Sequence, residues 1–366
     1  MANPTLRIGF ELTVLELDNA GIARYARSLR DALESVEGLE ILPVAHPASS
    51  GGKRGRYVRG LSRELRWFPR SLHGSLEALD VDVLHCPSPL APRDPRIPAV
   101  VTIHDVLPLQ HPRWFTRANV FHQRVVLPGA ARAASRVIAV STSAADAIVE
   151  VLGVDPERIE VIPSGVDPVF SPGDIPPETL SRHGLTRPYI LTVGTLQPRK
   201  NVEAAIAAFE RVSRHPDPHQ LVLVGSRGWR EGELMERVRR SPARERIKIL
   251  GRVSDPDLVA LYRGAQCFVF PSRAEGFGLP VLEAMACGTP VVASDRTSIP
   301  EVAGSAALLV DPDDGEAMAR GLEHVVRSAP RRQELRGLGI AHASQFTWDR
   351  CASATAELYR EVATGR

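Results

Sequence analysis

The chain has 366 residues, 43% hydrophobic and 24% charged, which is ordinary for a globular protein and long enough for two domains. Its formal net charge of +2 argues against nucleic-acid binding driven by overall charge. The four cysteines (Cys86, Cys267, Cys287 and Cys351) form no CxxC pair and no zinc spacing, so buried thiols are expected and no metal site is predicted.

The N-terminal sequence has no charged region followed by a long apolar core, so it shows no secretory signal. No run in the sequence approaches the roughly 20 apolar residues that a membrane-spanning helix needs. Both features predict a cytoplasmic protein with reduced cysteines.

The first predicted strand is Leu6–Phe10, and the loop after it reaches Gly21 just before the helical pattern IARYARSLRDALE. Gly21 is thus predicted at a helix N-terminus after a strand, where backbone can approach a phosphate. A plain loop glycine is the alternative interpretation.

Residues 51–70 form a basic segment with seven Lys or Arg, one acid (Glu64) and interleaved aromatic and leucine side chains. Such a segment is suited to resting on an anionic membrane face or to holding a phosphorylated acceptor. A solvated loop and helix is the alternative.

Two strand-like runs follow, at 81–88 and 99–105. The second ends on His104 and Asp105, at a strand tip where open α/β sheets bind ligands, although a lone histidine is more often structural. Residues 135–153 then read as strand and helix, with Ser141 or Ser143 as the N-cap.

Residues 168–188 are rich in Pro and Gly and are interpreted as a linker. A second strand–helix series starts with the strand 189–196, and Asn201 is predicted to cap the next helix. Arg199 and Lys200 then lie at a strand tip beside a helix N-terminus, where two positive charges suit a diphosphate. Surface solubility is the alternative role for them.

A strand running into a glycine turn is predicted at 219–229, further strands at 247–255 and 306–314, and an amphipathic helix at 348–363. The alternation of strands and helices on both sides of the linker predicts two doubly wound α/β units. No GxGxxG follows a first strand and no GxxxxGK[ST] occurs, which argues against a dinucleotide cofactor and a P-loop hydrolase.

The stretch 268–294, FVFPSRAEGFGLPVLEAMACGTPVVAS, reads as strand, loop, short helix and strand. Pro280 at the first helical position and Gly288 at the C-terminal cap fix the helix, and its N-terminus is a site for an anion. Glu275 and Glu283 bracket that site, which suggests amides holding a diphosphate and carboxylates holding sugar hydroxyls.

With these residues in place, the chain resembles the retaining glycosyltransferases of family 4, which have the GT-B fold. The similarity runs nearly end to end and is densest in GIARY (21–25), TIHDVLPLQHP (102–112), VIPSGVD (161–167), VGTLQPRKN (193–201), LGRVSD (250–255) and SRAEGFGLPVLEAMACGTPVVASD (272–295). The last segment carries the family's Glu-x7-Glu motif.

The resemblance implies two Rossmann-like domains facing across a cleft. Residues 1–170 would be the acceptor-side domain, residues 171–347 the nucleotide-sugar-binding domain, and residues 348–366 a helix crossing back to the N-terminal domain.

The resemblance also implies roles for single residues. Glu275 is expected to bind donor-sugar hydroxyls, helped by the amides of Gly276, Phe277, Gly278 and Leu279. Glu283 is expected to bind the ribose hydroxyls, since a carboxylate can accept from two vicinal hydroxyls.

Lys200 and Arg199 are expected to neutralise the departing diphosphate, and the nucleotide base to lie against the backbone at Val253. His104 matches the cleft histidine beside the sugar, and Gly21 the loop glycine that lets the N-terminal domain close on the phosphates. The catalytic set implied is therefore His104, Glu275 and Lys200.

Two positions depart from the family pattern. Thr195 stands where many members have Arg after the strand, which shifts charge compensation onto Arg199 and Lys200. Ala20-Gly21 stands where many have paired glycines, which weakens detailed inferences about that loop.

The implied reaction is transfer of a hexose with retention, without a metal or other cofactor. No carboxylate nucleophile is evident unless Asp105 serves, which favours a same-face route in which the leaving diphosphate deprotonates the acceptor. The favoured donor is GDP-mannose, ahead of UDP-hexoses and deoxysugar nucleotides, and the acceptor is a glycan or lipid-linked glycan, with peripheral membrane contact through 51–70. A nucleotide-sugar epimerase and a non-catalytic nucleotide-sugar-binding subunit are the rival interpretations.

Overall fold

A computed structural model describes residues 5–16, 20–44, 72–213, 219–226, 228–229 and 231–365. The basic segment 51–70 lies outside these residues. The chain divides into two compact units that are described separately: Met1–Pro112, Arg117–Gly165 and Thr347–Arg366 form the first, and Arg113–Thr116 and Val166–Phe346 the second.

The first unit contains a six-stranded parallel sheet in the order β2-β1-β3-β4-β5-β6. The second contains a six-stranded parallel sheet in the order β12-β11-β10-β7-β8-β9. The strands are β1 Leu6–Glu11, β2 Leu39–Val44, β3 Val83–Cys86, β4 Ala99–Ile103, β5 Arg136–Ala139, β6 Ile159–Val161, β7 Tyr189–Val193, β8 Gln220–Val224, β9 Ile247–Gly251, β10 Cys267–Phe270, β11 Val291–Ser294 and β12 Leu308–Val310.

Helices cover these sheets, as expected for parallel strands that are buried on both faces and therefore read as continuous apolar runs. The helices are α1 Ala20–Leu33, α2 Leu72–Ala78, α3 Leu107–Gln110, α4 Arg117–Ala133, α5 Thr142–Leu152, α6 Pro177–Arg182, α7 Val202–Val212, α8 Glu231–Arg239, α9 Asp255–Gly264, α10 Leu279–Ala286, α11 Ile299–Ala303, α12 Gly315–Arg327, α13 Ala329–Ala343 and α14 Trp348–Thr364. The two doubly wound sheets confirm the predicted α/β class.

The last helix, α14, belongs to the first unit, where it packs against α1. Its Tyr359 hydroxyl forms a short hydrogen bond with Nδ1 of the buried His85 on β3. The other ring nitrogen of His85 lies 3.0 Å from the Thr102 hydroxyl on β4. A Cβ on Gly165 would lie 2.4 Å from the Trp348 backbone nitrogen, so only glycine allows the start of α14 to approach this closely.

The sequence places the unit boundaries at 170 and 347, whereas the compact units divide after Gly165 and Phe346. The Arg113–Thr116 segment packs with the second unit, where the Trp229 indole donates to the Trp114 carbonyl at 2.8 Å.

Residues 168–188, interpreted from the sequence as a linker, are packed within the second unit. Helix α6 forms within them, and Phe170 is buried with its ring edge-on to Tyr262 at 5.9 Å. The Arg263 guanidinium donates to the Ser171 carbonyl at 2.7 Å, so the segment is part of the second unit.

The structure agrees with the sequence-based prediction at one helix cap and differs from it at a strand and at a second helix cap. Ser141 caps α5 by accepting from the Ala144 amide, as one of the two alternatives predicted. Strand β2 was missed, because Pro43 weakens its pattern; β2 lies at the sheet edge, where proline is tolerated. Asn201 does precede α7, but its side chain donates to the Pro312 carbonyl at 2.8 Å and does not cap the helix.

Candidate active site

The second sheet reverses its strand order between β7 and β10, which are paired neighbours. Ligands of doubly wound sheets bind outside the carboxyl ends of the strands at such a point. The loop after β7 carries Arg199 and Lys200, and the loop after β10 carries Glu275. The topology therefore brings these three side chains to one place.

Glu275 forms an ion pair with each of the two cations. Its Oε1 lies 2.6 Å from Lys200 Nζ, and its Oε2 lies 2.5 Å from a terminal nitrogen of Arg199. The Ser272 hydroxyl also donates to Oε1, at 2.5 Å. All three charged side chains are at most 12% exposed, so the cluster is largely shielded from water.

Burial alone would favour the protonated form of Glu275, but Arg199 and Lys200 outweigh it and lower the pKa of the carboxyl to about 2. Glu275 is therefore an ionised hydrogen-bond acceptor throughout the physiological range. With two cations and one carboxylate, the cluster carries a formal surplus of one positive charge.

Backbone and hydroxyl contacts hold the loop of Glu275 in place. The Glu275 amide donates to the Thr297 hydroxyl at 3.0 Å, and the Ser298 hydroxyl lies 2.7 Å from the Phe277 carbonyl, to which it donates. Phe277 and Gly278 are buried, whereas Gly276 and Leu279 are half-buried.

Glycines with positive φ end the strands that border this site. Gly194 follows β7 with φ +148° and Gly225 follows β8 with φ +146°. A Cβ on Gly225 would lie 2.0 Å from the Gly194 carbonyl oxygen, so the two turns come into direct contact. Gly278, with φ +121°, leads into α10, whose N-terminal amides are a second source of positive potential.

Glu283 lies on α10 and is buried at 6% exposure. The hydroxyl of the fully buried Tyr262 donates to Glu283 Oε2 at 3.0 Å and so fixes the carboxylate. The two motif glutamates therefore have different partners: Glu275 pairs with cations, and Glu283 with a neutral phenol.

Val253 is half-buried in the turn between β9 and α9, after Gly251 with φ +71°. The Ser254 hydroxyl caps α9 by accepting from the Asp257 amide. The backbone at 253 therefore has a fixed position at the carboxyl end of β9.

His104 follows β4 in the first unit. Its Nε2 donates to the Pro87 carbonyl at 3.0 Å, and its ring stands edge-on to Tyr25 with centroids 4.7 Å apart. Burial lowers the pKa of His104, partly opposed by the Pro87 carbonyl and by Asp105. A carbonyl only accepts, so Nε2 carries the proton and the neutral ring presents Nδ1 as an acceptor.

Asp105 and Gly21 also belong to the first unit. The Asp105 carboxylate accepts from the Leu107 amide at 3.1 Å, which ties it to the start of α3. Gly21 is the second residue of α1, and a Cβ there would meet nothing within 4 Å among the described residues, so none of those residues requires glycine at this position.

Comparisons with known proteins agree with this arrangement. The family described as "Glycosyltransferase Family 4" matches residues 19–170, and the family described as "Glycosyl transferases group 1" matches residues 180–339. The O-antigen chain mannosyltransferase B of Escherichia coli is 30% identical over 97% of this chain and 100% of that protein. The chain is a glycosyltransferase of family 4.

A D-inositol 3-phosphate glycosyltransferase of Acidothermus cellulolyticus is 34% identical to this family-4 glycosyltransferase over 64% of the chain and 55% of that protein. Among solved structures, sucrose-phosphate synthase of Thermosynechococcus elongatus matches with a TM-score of 0.80 at 21% identity over 100% of both chains. Anabaena HepE in complex with UDP-glucose matches with a TM-score of 0.75 at 21% identity, over 97% of this chain and 100% of that one. These likenesses confirm the GT-B fold.

In this glycosyltransferase, the structure brings Arg199, Lys200 and Glu275 together as predicted, but through direct ion pairs that the sequence did not reveal. It also reveals Ser272 and Tyr262, which sequence reasoning missed. The sequence gives little indication that Tyr262 belongs to the site, because it lies in an apolar helical pattern and differs from phenylalanine only by its hydroxyl. None of the helices in the described ranges is long and apolar enough to span a bilayer.

Proposed function

We propose that this glycosyltransferase moves mannose from GDP-mannose to a hydroxyl group of a glycan or lipid-linked glycan, with retention of anomeric configuration and without a metal. The observation that carries the proposal is the Arg199–Glu275–Lys200 cluster at the strand-order reversal of the second sheet. The mannosyltransferase relative that matches along almost the whole chain supports mannose and a cell-surface polysaccharide product.

The cluster suits the departure of a nucleoside diphosphate. Its surplus positive charge and the N-terminus of α10 would stabilise the negative charge that develops on such a leaving group. The Gly194 turn packs directly against the Gly225 turn and against the Lys200 side chain, which keeps the ammonium at the carboxyl end of β7.

The electrostatics of Glu275 support the same-face route. A retaining glycosidase needs one carboxyl group that donates a proton and one that attacks the sugar. Glu275 is ionised and its oxygens are engaged by cations, so it is suited to accepting from sugar hydroxyls and unsuited to donating a proton. The leaving diphosphate would then take the proton of the acceptor hydroxyl, while Lys200 stabilises the charge that develops.

His104 contributes as a neutral ring. Because its Nε2–H is held by the Pro87 carbonyl, His104 would orient the sugar through Nδ1 or its own backbone and would not act as an acid.

A panel of nucleotide sugars tests the proposal. GDP-mannose, GDP-fucose, UDP-glucose and dTDP-rhamnose would be scored by thermal shift and by release of the nucleoside diphosphate, and the anomer of the product by NMR. GDP-mannose should give the largest shift, because a bound ligand stabilises the folded state by mass action. A product of inverted anomeric configuration, or release of the nucleoside diphosphate only from another donor, would contradict the proposal. UDP-hexoses are the first alternative, because a structural neighbour was solved in complex with UDP-glucose.

Conversion of the nucleotide sugar to another without any acceptor would indicate the epimerase alternative. Binding without turnover, with acceptors supplied, would indicate the non-catalytic subunit.

Replacing Tyr262 by phenylalanine should weaken GDP binding by about fivefold to tenfold, because the buried Glu283 carboxylate, which is proposed to hold the ribose, loses the Tyr262 hydroxyl as a donor. Titration calorimetry measures the effect. Tyr189→Phe is the matched control, since that buried tyrosine donates to the Leu261 carbonyl at 2.7 Å in the same unit. Equal losses of affinity in the two variants would show a stability effect only.

We also propose peripheral contact with an anionic membrane, through the basic segment 51–70 and through α4. Helix α4 contains Arg117, Arg124 and Arg132 and no acid, and its Phe121 is 72% exposed and its Val125 44% exposed. An exposed aromatic ring on a basic helix is typical of interfacial binding.

Phe121→Ser with Val125→Ser should lower co-sedimentation with phosphatidylglycerol vesicles by about tenfold, because the headgroup region gains less apolar surface. Reversing the charges of Arg54, Arg56 and Arg59 should lower it further. Leu338→Ser, at a position 41% exposed in the second unit, is the control. Binding that persists in both sets of variants argues against membrane contact through these surfaces.

A further inference from the structure

Arg199 is attached to the loop of Glu275 by both its side chain and its backbone. One terminal guanidinium nitrogen lies 2.5 Å from Glu275 Oε2 and 2.5 Å from the Ala274 carbonyl, to which it donates. The Arg199 carbonyl accepts from the Arg273 amide at 2.9 Å. These partners all lie in one short loop, residues 273–275.

Lys200 reaches the opposite side of the carboxylate. Its ammonium lies 2.6 Å from Glu275 Oε1 and 4.8 Å from the centroid of the Phe270 ring. A Cβ on Gly194 would lie 3.3 Å from Lys200 Cε and 3.6 Å from its Nζ. The ammonium therefore lies beside the glycine turn after β7, at the carboxyl end of that strand.

The two cations also differ in how readily they can change partners. An ammonium on a four-carbon stem rotates its three donors freely, whereas a planar guanidinium holds a fixed set of directions. Removing one member of a buried ion pair is costly because the remaining charge is left uncompensated. Arg199 can therefore keep Glu275 satisfied while Lys200 turns toward an incoming anion.

We propose that Arg199 is a positioning residue: it fixes the Glu275 carboxylate and the 273–275 loop for the donor sugar, while Lys200 alone meets the diphosphate. The inference rests on the proposed function and deepens it, because it separates two cations that the sequence assigns jointly to the diphosphate. Arg199 then acts on the sugar through Glu275, and its loss should leave the nucleotide end of the donor largely unaffected.

The charge on Glu275 provides a readout that a merely structural role would not change. Burial raises the pKa of Glu275, and Arg199 is the strongest of the influences that bring it down to about 2. Without Arg199 that pKa should rise toward the range of activity assays. The variant should then lose activity on the acid side at a pH where the wild-type enzyme is still fully active.

The experiment compares Arg199→Met with Lys200→Met in the full chain, using GDP and GDP-mannose as probes, or UDP and UDP-glucose if the donor panel selects them. Lys200→Met should weaken GDP binding by at least about tenfold, since the loss falls on a charge-assisted contact. Arg199→Met should change the Kd of GDP by less than about threefold, lower kcat by about tenfold or more, and move the acid limb of the pH profile upward.

Two further variants keep the test decisive. Arg199→Lys retains a cation and should restore the acid limb, even if Arg199→Met folds poorly. Arg237→Met removes an arginine of the same unit that pairs with Glu210 at 2.7 Å, and it should leave all three readouts within about twofold of wild type.

The inference is overturned if Arg199→Met weakens GDP binding as much as Lys200→Met does, or if it retains wild-type kcat with an unchanged acid limb. A wild-type enzyme that binds neither nucleotide pair would instead contradict the proposed function, and the inference with it.

Discussion

Replacing Lys200 by methionine is expected to lower kcat by about 100-fold or more, and Glu275→Gln to do the same. Methionine keeps the apolar stem beside Phe270 but removes the charge that would stabilise the departing diphosphate. Glutamine keeps the shape of Glu275 but leaves two shielded cations, Arg199 and Lys200, without their shared carboxylate. Initial rates of sugar transfer at saturating donor measure both effects.

Glu210→Gln is the matched control for this prediction. The Glu210 carboxylate forms two hydrogen bonds of 2.7 Å with Arg237 in the same unit, so its loss also breaks a well-formed ion pair. We expect that variant to retain wild-type kcat. Near-full transfer activity in Lys200→Met or Glu275→Gln would refute the assignment of the cluster as the active site.

Acidification from pH 7.5 to 5 is expected to lower the free energy of unfolding of the first unit by about 2 kcal/mol through His85 alone. Burial, with a smaller effect of His104, lowers the pKa of His85 to about 3, so the folded state keeps this ring neutral. The unfolded chain binds a proton below its ordinary pKa of 6.5, and the folded state does not until about 3. Stability is therefore lost as pH falls from about 6.5 toward 3.

Hydrogen exchange of the β3 and β4 amides at the two pH values measures this loss within the first unit. His85→Gln, which stays neutral and can still donate and accept, should reduce the pH dependence by the same amount. His183→Gln, beside Asp257 in the second unit, should leave it unchanged. An equal pH dependence in wild type and His85→Gln would contradict the prediction.

Much of the fold could be read from the sequence because parallel strands buried on both faces form continuous apolar runs. The β10–α10–β11 stretch is an example: Pro280 and Gly288 mark its helix, and α10 begins and ends within a residue of the predicted bounds. Segment 168–188 shows the limit of that approach. Its prolines suggested a linker, but the burial of Phe170 against Tyr262 depends on a partner that local composition does not reveal.

The candidate site shows the same division. Arg199, Lys200 and Glu275 each follow a predicted strand, and the carboxyl ends of parallel strands meet at one edge of a sheet. Their convergence could therefore be predicted. Their direct pairing could not be predicted, since Lys200 and Glu275 are 75 residues apart and the 2.6 Å contact depends on side-chain geometry. Likewise, the family resemblance implied a role for Glu283 but not its hydrogen bond with Tyr262.

The membership of α14 in the first unit has a consequence for biosynthesis. A ribosome makes residues 348–364 only after the second unit, so Tyr359, which bonds to His85, and Trp348, which lies against Gly165, are made late. Until then, the unit that carries His104 lacks one of its packing helices, while the second unit can already fold. In this chain the unit that begins first is therefore completed only after the second unit has been made.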